Sequence, residues 1–346
     1  MRAEPATSLF PAARLAVPRE PGRPVCTLVI DAEESFDWHR PLHGTQYSTR
    51  NLHDLSVLHD ILDTNGAVPA YLLTYPILMD DDAVHSLRTQ LERGRCILGL
   101  QLHTWVTPPF DGGSDHHQSY SGNLAAGLEE RKLIALLERF IERFGFAPTV
   151  FRGGRYGFGP NTARLLEEHG FRIDTSVAPR TDLGADGGPD YGGFDCRPFW
   201  FGVRRRLLEL PLCRSVVGWG GGGGAAAYRA LSAPWARRLS LGSALTRSHC
   251  AERVTFSPEG NDVAAMRRLA NGLVSRGHPV LALSFHSSSL AIGGNPYVQS
   301  KADLHRFYDR LSAILDHLTR EQGWRFTDIL RVADHLRPPP EACAVG

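Results

Sequence analysis

Short apolar runs alternate with helical patterns along almost the whole chain, and this alternation constrains the fold more than any other feature. The runs of strand length lie at residues 25–31, 68–74, 96–102, 148–152, 171–177, 207–212 and 279–285. Segments with apolar residues at three- and four-residue spacing lie between them, at 50–65, 80–93, 126–144, 160–169, 262–277 and 301–320. This order predicts a mostly parallel sheet, and seven strands favour a barrel-like closure.

The composition limits the classes of partner that the protein is expected to bind. The 346 residues suit one α/β barrel with insertions. Lys+Arg 38 against Asp+Glu 37 gives no electrostatic reason to expect nucleic acid or an anionic membrane. No stretch approaches the roughly 20 apolar residues of a membrane span, and the N-terminus lacks the continuous apolar segment of a secretory signal. The six cysteines contain no CxxC pair, so we expect a cytoplasmic protein without a disulfide framework.

The domain boundaries follow from the same patterns. We expect a flexible leader over residues 1–24, one barrel domain over 25–336 and a flexible tail over 337–346. Residues 215–250 interrupt the alternation of predicted strands and helices, and they begin with SVVGWGGGGGAAAY. A glycine run loses much conformational entropy when it is ordered. We interpret this segment as an insertion, either a lid over a site or an ordinary surface loop.

Polar residues stand where several predicted strands end. In α/β barrels the catalytic groups come from the C-terminal ends of the strands. Each of these residues alone has an ordinary structural interpretation, but their coincidence at one predicted rim indicates a site. The residues are Asp31 and Glu33 after the first run, Gln101 and His103 in the third, Arg152 and Arg155 after the fourth, Asp174 in the fifth and His286 after the last.

These residue types suit metal-assisted hydrolysis. A divalent metal takes carboxylate and imidazole ligands and leaves a position open for water. A second carboxylate can accept the proton of that water, and an adjacent arginine keeps the carboxylate ionised. A histidine from the opposite rim can protonate the leaving group. Asp31, Glu33, His103, Arg152 and His286 can fill these roles in this sequence order.

The same residues lie in motifs through which the chain resembles the NodB-homology polysaccharide deacetylases of carbohydrate esterase family four, and among them the WalW-like subgroup. The resemblance covers about residues 25 to 335. The motifs that carry it are DAEESFDW, LHTWVTPPF, SGNLAAGLEERKL, FRGGRYGFGPNT, DTSVAP, GPDYGG, LELPL, FSPEG and FHSSSLAIGGNPYV. It implies a distorted (β/α)7 barrel that binds a divalent metal, with Zn²⁺ as the expected ion and Co²⁺ or Ni²⁺ as alternatives. It also implies removal of an acetyl group from a sugar of a surface polysaccharide or its precursor, and an N-acetyl group is expected in preference to an O-acetyl group.

The resemblance also implies a role for each matching residue. Asp31 matches the general base, and Glu33 matches a carboxylate that binds the metal. Arg152 matches the arginine that orients the base. His286 matches the general acid, and Asp174 is expected to hold that histidine.

The chain departs from the family pattern in the motif that supplies the metal-binding histidines. The family has two histidines four residues apart, whereas this chain has Gln101 and Trp105 at that spacing and only His103 between them. The expected ligands are therefore Glu33 and His103 with the Gln101 amide or Asp31. A neutral amide is a poor zinc ligand beside an imidazole. The alternatives are no metal at all, or a borrowed ligand from His116, His117 or Glu34.

Two functions of different classes follow from this departure. One is an active deacetylase; the other is a catalytically impaired relative that binds a carbohydrate without hydrolysing it. A third hypothesis is a hydrolase of another C–N bond, such as a cyclic amide, on the same barrel. Trp105, Arg155 and Tyr156 are the predicted substrate contacts. The remaining rim aromatics, Trp38, Trp200 and Trp219, are better explained by packing.

Overall fold

The computed structural model describes residues 9–19, 24–36, 42, 47–110, 116–203, 207–217 and 252–338. Its strands are β1 (Arg14–Leu15), β2 (Val17–Pro18), β3 (Val25–Ala32), β4 (Pro69–Leu73), β5 (Ile97–Leu102), β6 (Val150–Gly153), β7 (Ile173–Asp174), β8 (Phe199–Phe201), β9 (Leu207–Glu209), β10 (Arg214–Val217), β11 (Glu252–Thr255), β12 (Val280–His286), β13 (Arg325–Phe326) and β14 (Leu336–Arg337). Its α-helices are α1 (Ser56–Thr64), α2 (Tyr75–Met79), α3 (Asp81–Glu92), α4 (Ala126–Phe144), α5 (Thr162–Glu168), α6 (Val263–Ser275), α7 (Lys301–Asp316) and α8 (Ile329–Val332).

The central sheet has the order β1-β8-β9-β7-β6-β5-β4-β3-β12, and β13 pairs with the start of β3. From β9 to β12 every neighbouring pair is parallel. These seven strands lie in the seven predicted runs, so the predicted α/β barrel class is confirmed. Between β9 and β12 the sheet is bridged by Phe256, which donates to Cys213 O at 2.7 Å and accepts from Ser284 N at 3.1 Å.

The register of the parallel strands aligns the polar residues that follow the apolar runs. His286 is paired with Asp31 across β12 and β3, and Gln101 is paired with Arg152 across β5 and β6. Because parallel strands end at the same edge of a sheet, these side chains are brought to one rim although they lie far apart in sequence.

The N-terminal segment differs from the prediction of a flexible leader. Phe10 is 2% exposed, and its ring packs on Phe158 with centroids 4.5 Å apart. Strand β1 pairs with β8, and β2 pairs with β14. Residues 9–18 are therefore ordered because they cover apolar surface and extend the antiparallel edge of the sheet. The rest of the predicted leader up to residue 23 lies largely outside the described residues.

Strands β10 and β11 form an antiparallel pair at the base of the predicted insertion. Residues 218–251, which carry its glycine run, lie outside the described residues, as does the tail beyond residue 338. In the part of the chain that is described, no helix is both long and apolar enough to cross a membrane.

Candidate active site

A cavity of about 310 Å³ lies where the parallel strands end. Its wall contains nearly all of the residues that the sequence singled out. The lining residues are Asp31, Glu33, Phe36, Leu42, Gln101, His103, Trp105, His116, Tyr120, Arg152, Arg155, Tyr156, Leu183 and His286. Strand-end polar residues and aromatic rings thus meet in one pocket.

Asp31 lies between a cation and a histidine. Arg152 Nη1 donates a hydrogen bond to Asp31 Oδ1, and His286 Nε2 is 3.6 Å from Asp31 Oδ2. Arg152 Nε is fixed by the carbonyl and hydroxyl oxygens of Thr175, at 3.1 and 2.9 Å. Burial alone would lower the pKa of Arg152, but the Asp31 carboxylate raises it. The arginine therefore stays charged, and one oxygen of Asp31 remains directed toward the histidine.

Glu259 holds His286. His286 Nδ1 is 2.8 Å from Glu259 Oε2, and the backbone N–H of His286 donates to Glu259 Oε1 at 2.9 Å. Ser289 Oγ also donates to that oxygen, at 2.6 Å. Burial would lower the pKa of His286, but Glu259, Glu33 and Asp31 raise it well above its ordinary value. The ring is therefore stabilised as an imidazolium whose Nε2 proton faces Asp31.

The prediction that Asp174 holds His286 is therefore wrong. Asp174 is paired in register with Glu209 on β9, and both side chains are fully buried. Ser176 Oγ donates to Asp174 at 2.7 Å, and Val177 N donates to Glu209 at 2.9 Å. Burial and the Asp174 carboxylate raise the pKa of Glu209 well above its usual range, which favours the protonated form of Glu209. The physical reason is strand order, because β9 and the bridge at Phe256 separate β7 from β12.

On the opposite side of the cavity, Glu34 holds His103. His103 Nδ1 is 2.8 Å from Glu34 Oε1, and Glu34 Oε2 accepts from Thr74 Oγ1 at 2.7 Å. His103 Nε2 lies 3.5 Å from Glu33 Oε2. Both oxygens of Glu34 are thus engaged behind the ring, so Glu34 is not the borrowed ligand that the sequence allowed. A carboxylate on Nδ1 is the arrangement that orients metal-ligating histidines.

Two buried oxygens in the cavity lack hydrogen-bond partners among the described residues. They are Glu33 Oε1 and Gln101 Oε1, and both residues line the cavity beside His103. Burial raises the pKa of Glu33 to about 7, with His286 and His103 lowering it and Asp31 and Glu34 raising it. Buried polar atoms without partners are unfavourable unless something satisfies them. A cation between Glu33, Gln101 and His103 would do so, and the residues present fit a divalent metal with N and O ligands.

A second group of potential ligands lies on the surface. Among the described residues, His53, Asp80 and Asp82 are the three whose histidine or carboxylate atoms come within 4.8 Å of one another. Asp80, however, caps α3, since its Oδ1 accepts from Asp82 N at 2.9 Å and from Ala83 N at 3.1 Å. Its other oxygen accepts from His53 at 2.8 Å. This cluster is explained by the start of the helix.

Helix α4 fixes the loop that follows β5. The Lys132 ammonium group is buried and donates to three backbone carbonyls, Thr104 O at 2.9 Å, Thr107 O at 2.6 Å and Pro109 O at 2.8 Å. This loop begins at His103 and includes Trp105, whose ring stacks on His103 with centroids 4.2 Å apart and an interplanar angle of 25°. The lysine therefore fixes the wall that carries the metal-ligand candidate.

Arg155 and Tyr156 line the cavity with left-handed backbone, at φ values of +53° and +61°. Consecutive non-glycine residues in this region are strained and are commonly found at functional sites. Arg155 Nη1 donates to Ser119 Oγ at 2.6 Å, and its guanidinium lies 4.5 Å from the Tyr120 ring centroid. Together with Trp105 they stay predicted substrate contacts.

The other candidates fall elsewhere. His116 lines the cavity, but its Nδ1 lies 3.4 Å from Arg155 Nη1 and not beside the metal-ligand candidates. His117 and Trp200 are not part of the wall. Trp38 and Trp219 lie outside the described residues.

Sequence reasoning missed the two carboxylates that hold the histidines. Glu34 stands beside Glu33, and its buried position could not be read from a run of acidic residues. Glu259 lies in FSPEG, four residues after β11. The rule that polar residues at strand ends mark the site would have found Glu259, had the short strand β11 been recognised.

No protein-family model and no curated protein matches the sequence. Solved structures do match its fold. The 4-alpha-glucanotransferase from Thermococcus litoralis is 12% identical with a TM-score of 0.52, over 92% of this chain and 41% of that chain. A protein from Mycobacterium smegmatis named as a proposed polysaccharide deacetylase is 15% identical with a TM-score of 0.48, over 91% and 96%. The CE4 family pseudoenzyme BA3943 from Bacillus anthracis is 10% identical with a TM-score of 0.43, over 91% and 67%.

The likeness to the glucanotransferase shows a shared fold and nothing about activity. The other two similarities have TM-scores below 0.5 and carry no argument. Because one fold serves many chemistries, the function has to be argued from the residues of the cavity.

Proposed function

We propose that this protein is a metal-dependent hydrolase that removes an acetyl group from a sugar, with an N-acetyl group preferred to an O-acetyl group as the substrate. In this proposal it is a WalW-like member of the NodB-homology deacetylases. The observation that carries the proposal is Asp31 held between Arg152 and His286. A protein that only binds sugar needs neither a buried, arginine-paired base nor an imidazolium that faces it. The proposed substrate is a sugar of a surface polysaccharide or of its precursor.

Asp31 is the general base of this proposal. Its Oδ1 is taken by Arg152, which leaves Oδ2 to accept the proton of the attacking water. Arg152 supplies the counter-charge for this buried carboxylate. The arginine in turn is fixed by Thr175.

His286 is the general acid. Its Nδ1 proton is held by Glu259, so the Nε2 proton is the one available to the leaving amine. As the C–N bond of the acetamide breaks, the nitrogen takes this proton, and acetate and a free amine are the products. The same imidazolium would protonate an alkoxide if the acetyl group were an ester.

Glu33, His103 and Gln101 would hold the metal. When bound, a divalent cation supplies Lewis-acid polarisation of the acetyl carbonyl. Trp105, Phe36 and Tyr120 give the cavity its apolar surface and can pack against a sugar ring or the acetyl methyl group.

The experiment is acetate release from acetylated sugars, measured together with metal content by elemental mass spectrometry. We expect near-stoichiometric zinc, cobalt or nickel in the wild-type protein and much less in His103→Ala. We expect Asp31→Asn to keep the metal and lose roughly 10²–10⁴-fold in rate. A wild-type protein that takes up metal but releases acetate no faster than Asp31→Asn would contradict the proposal.

A second candidate function rests on one specific observation, the neutral amide of Gln101 where the family has a histidine. If the amide of Gln101 prevents metal binding, the barrel binds a carbohydrate without hydrolysing it. Sugar binding with no metal uptake after zinc is added and removed by desalting would favour this candidate. Restoring the missing ligand with Gln101→His should then increase metal uptake.

A further inference from the structure

Arg214 is a partly buried cation that the proposed reaction does not use. It begins β10, and its Nε and Nη1 donate to Thr255 Oγ1 at 2.8 Å and to Thr181 Oγ1 at 2.7 Å. Both partners are neutral hydroxyl groups. Throughout the described ranges, no Asp or Glu forms an ion pair with Arg214. An arginine that loses solvent without gaining a counter-charge is unfavourable in the ligand-free protein.

A second arginine stands beside it. In the β10–β11 pair Arg214 is opposite Thr255 and Val216 is opposite Arg253, so both arginines project from the same face. Arg253 is exposed and also has no carboxylate partner in the described part of the chain. The residues that connect the two strands, 218–251, contain no Asp or Glu. The residues that share this face of the β10–β11 pair with the two arginines are Val216 and Thr255, and neither carries a negative charge.

This cationic pair is next to the cavity. Thr181, which binds Arg214, lies two residues before Leu183, a lining residue. Tyr156 lines the cavity and acts electrostatically on Arg214. Tyr297 also acts on Arg214 and is itself influenced by Glu259 and His286. Arg214 therefore binds the segment that leads to Leu183 and lies within electrostatic range of Tyr156, a lining residue.

Burial lowers the pKa of Arg214, and Arg253 lowers it further. An arginine nevertheless keeps its charge at neutral pH. Its planar fork matches the oxygens of a phosphate or a carboxylate. An oxyanion is therefore the ligand that would relieve the repulsion between the two arginines and supply the missing counter-charge.

We propose that Arg214, assisted by Arg253, binds an oxyanion of the substrate, so that the acetylated sugar carries a phosphate or a carboxylate group. This inference rests on the proposed function and deepens it, because it assigns a substrate class to the same cavity. Two other arginines line the cavity, but Arg152 pairs with Asp31 and Arg155 pairs with Asp186 at 3.0 Å, so neither is needed for this role.

The test is isothermal titration calorimetry of the full chain with inorganic phosphate, N-acetylglucosamine, its 1-phosphate and glucuronate. We expect the 1-phosphate to bind more tightly than the neutral sugar. Arg214→Gln should weaken phosphate binding by about tenfold or more, since the bond is charge-assisted, and Arg253→Gln should weaken it less. Arg267→Gln is the matched control, because Arg267 pairs with Glu321 at 2.7 Å on the surface, and we expect no change.

Phosphate and glucuronate distinguish the two sources of the oxyanion. Tighter, Arg214-dependent binding of either one supports the proposal and identifies the group. Equal affinity for phosphate in the wild type and Arg214→Gln would overturn it. Because loss of Arg214 also removes bonds to Thr181 and Thr255, Arg214→Lys serves as the conservative variant, and partial recovery of phosphate affinity is expected.

The outcome can be separated from that of the proposed hydrolysis. Asp31→Asn should retain Arg214-dependent phosphate binding while it loses acetate release. Phosphate binding without acetate release in the wild type would overturn the hydrolase and leave the oxyanion site standing. Acetate release with equal affinity for the neutral and the phosphorylated sugar would overturn the oxyanion site alone.

Discussion

The two sides of the cavity repeat one arrangement with different exposure. On one side Glu34 holds Nδ1 of His103 at 2.8 Å, and Nε2 lies 3.5 Å from Glu33. On the other side Glu259 holds Nδ1 of His286 at 2.8 Å, and Nε2 lies 3.6 Å from Asp31.

The surroundings of the two rings differ. The His103 side chain is 2% exposed and is covered by Trp105, whereas the His286 side chain is 23% exposed. The difference indicates that the same carboxylate–histidine unit can serve as a sealed ligand or as an accessible acid. The exposure of the ring and the carboxylate beside Nε2 decide which of the two roles the histidine takes.

Removing each histidine should have the largest effect, and the effect should differ between the two sides of the cavity. In His286→Ala we expect the rate of acetate release to fall by about 10²–10⁴-fold with metal content unchanged, because a general acid is lost. In His103→Ala we expect both metal and activity to be lost. Elemental mass spectrometry and acetate assays on the same preparations measure this. Metal loss in His286→Ala, or full occupancy in His103→Ala, would show that the two sides are assigned the wrong way round.

Removing the charge behind His286 should have the next largest effect. Glu259→Gln should lower the rate by about 10- to 100-fold at neutral pH. Glu259 raises the pKa of His286, so its loss lowers that pKa, and the acid form then persists only at lower pH. The descending alkaline limb of the kcat/KM profile should therefore move to lower pH.

Asp174→Asn is the matched control for that experiment. Asp174 accepts a hydrogen bond from Ser176, and His286 is held by Glu259 instead. We expect the alkaline limb to stay at its wild-type position in this variant. A limb that moves in Asp174→Asn and stays in Glu259→Gln would restore the original assignment from the sequence.

Removing the charge of Glu34, which holds His103, should change the affinity for the metal and leave the pKa of the general acid unchanged. Glu34→Gln should weaken metal affinity by about 10- to 100-fold, as is usual when the partner of a ligating histidine is lost. With saturating metal we expect the alkaline limb to remain in place. Competition titration with a chromophoric chelator gives the affinity, and unchanged affinity would count against His103 as a ligand.

Lys132→Met should give the smallest change in activity and should act on the His103 side alone. Three backbone carbonyls lose their ammonium partner, which should cost about 3 kcal/mol in the free energy of unfolding. We expect faster amide hydrogen exchange in residues 104–110 and less than a tenfold loss in rate. Lys132→Arg is the charge-retaining control. Exchange that increases around His286 to the same extent would mean that the whole barrel is loosened.

Much of this fold was predictable because its signals are local. Each parallel strand lies in an apolar run, and α4 spans Ala126–Phe144, the bounds that its three- and four-residue periodicity predicts. Strands β10 and β11 were missed because their sequences, RSVV and ERVT, contain charged and polar residues and form no continuous apolar run. The packing of Phe10 was missed because the apolar pair Leu9 and Phe10, directly before Pro11, gives no periodic signal. Strand β7 is only Ile173–Asp174, far shorter than its apolar run.

The order of apolar runs along the chain was enough to predict the parallel barrel and the residues that end its strands, among them Asp31, His103, Arg152 and His286. Tertiary structure alone decided which group faces which. Glu259 reaches His286 from a separate segment, and Asp174 turns to Glu209 instead. The physical reason is that strand patterning depends on neighbours along the chain, whereas hydrogen-bond partners depend on strand order and register, which bring together residues distant in sequence.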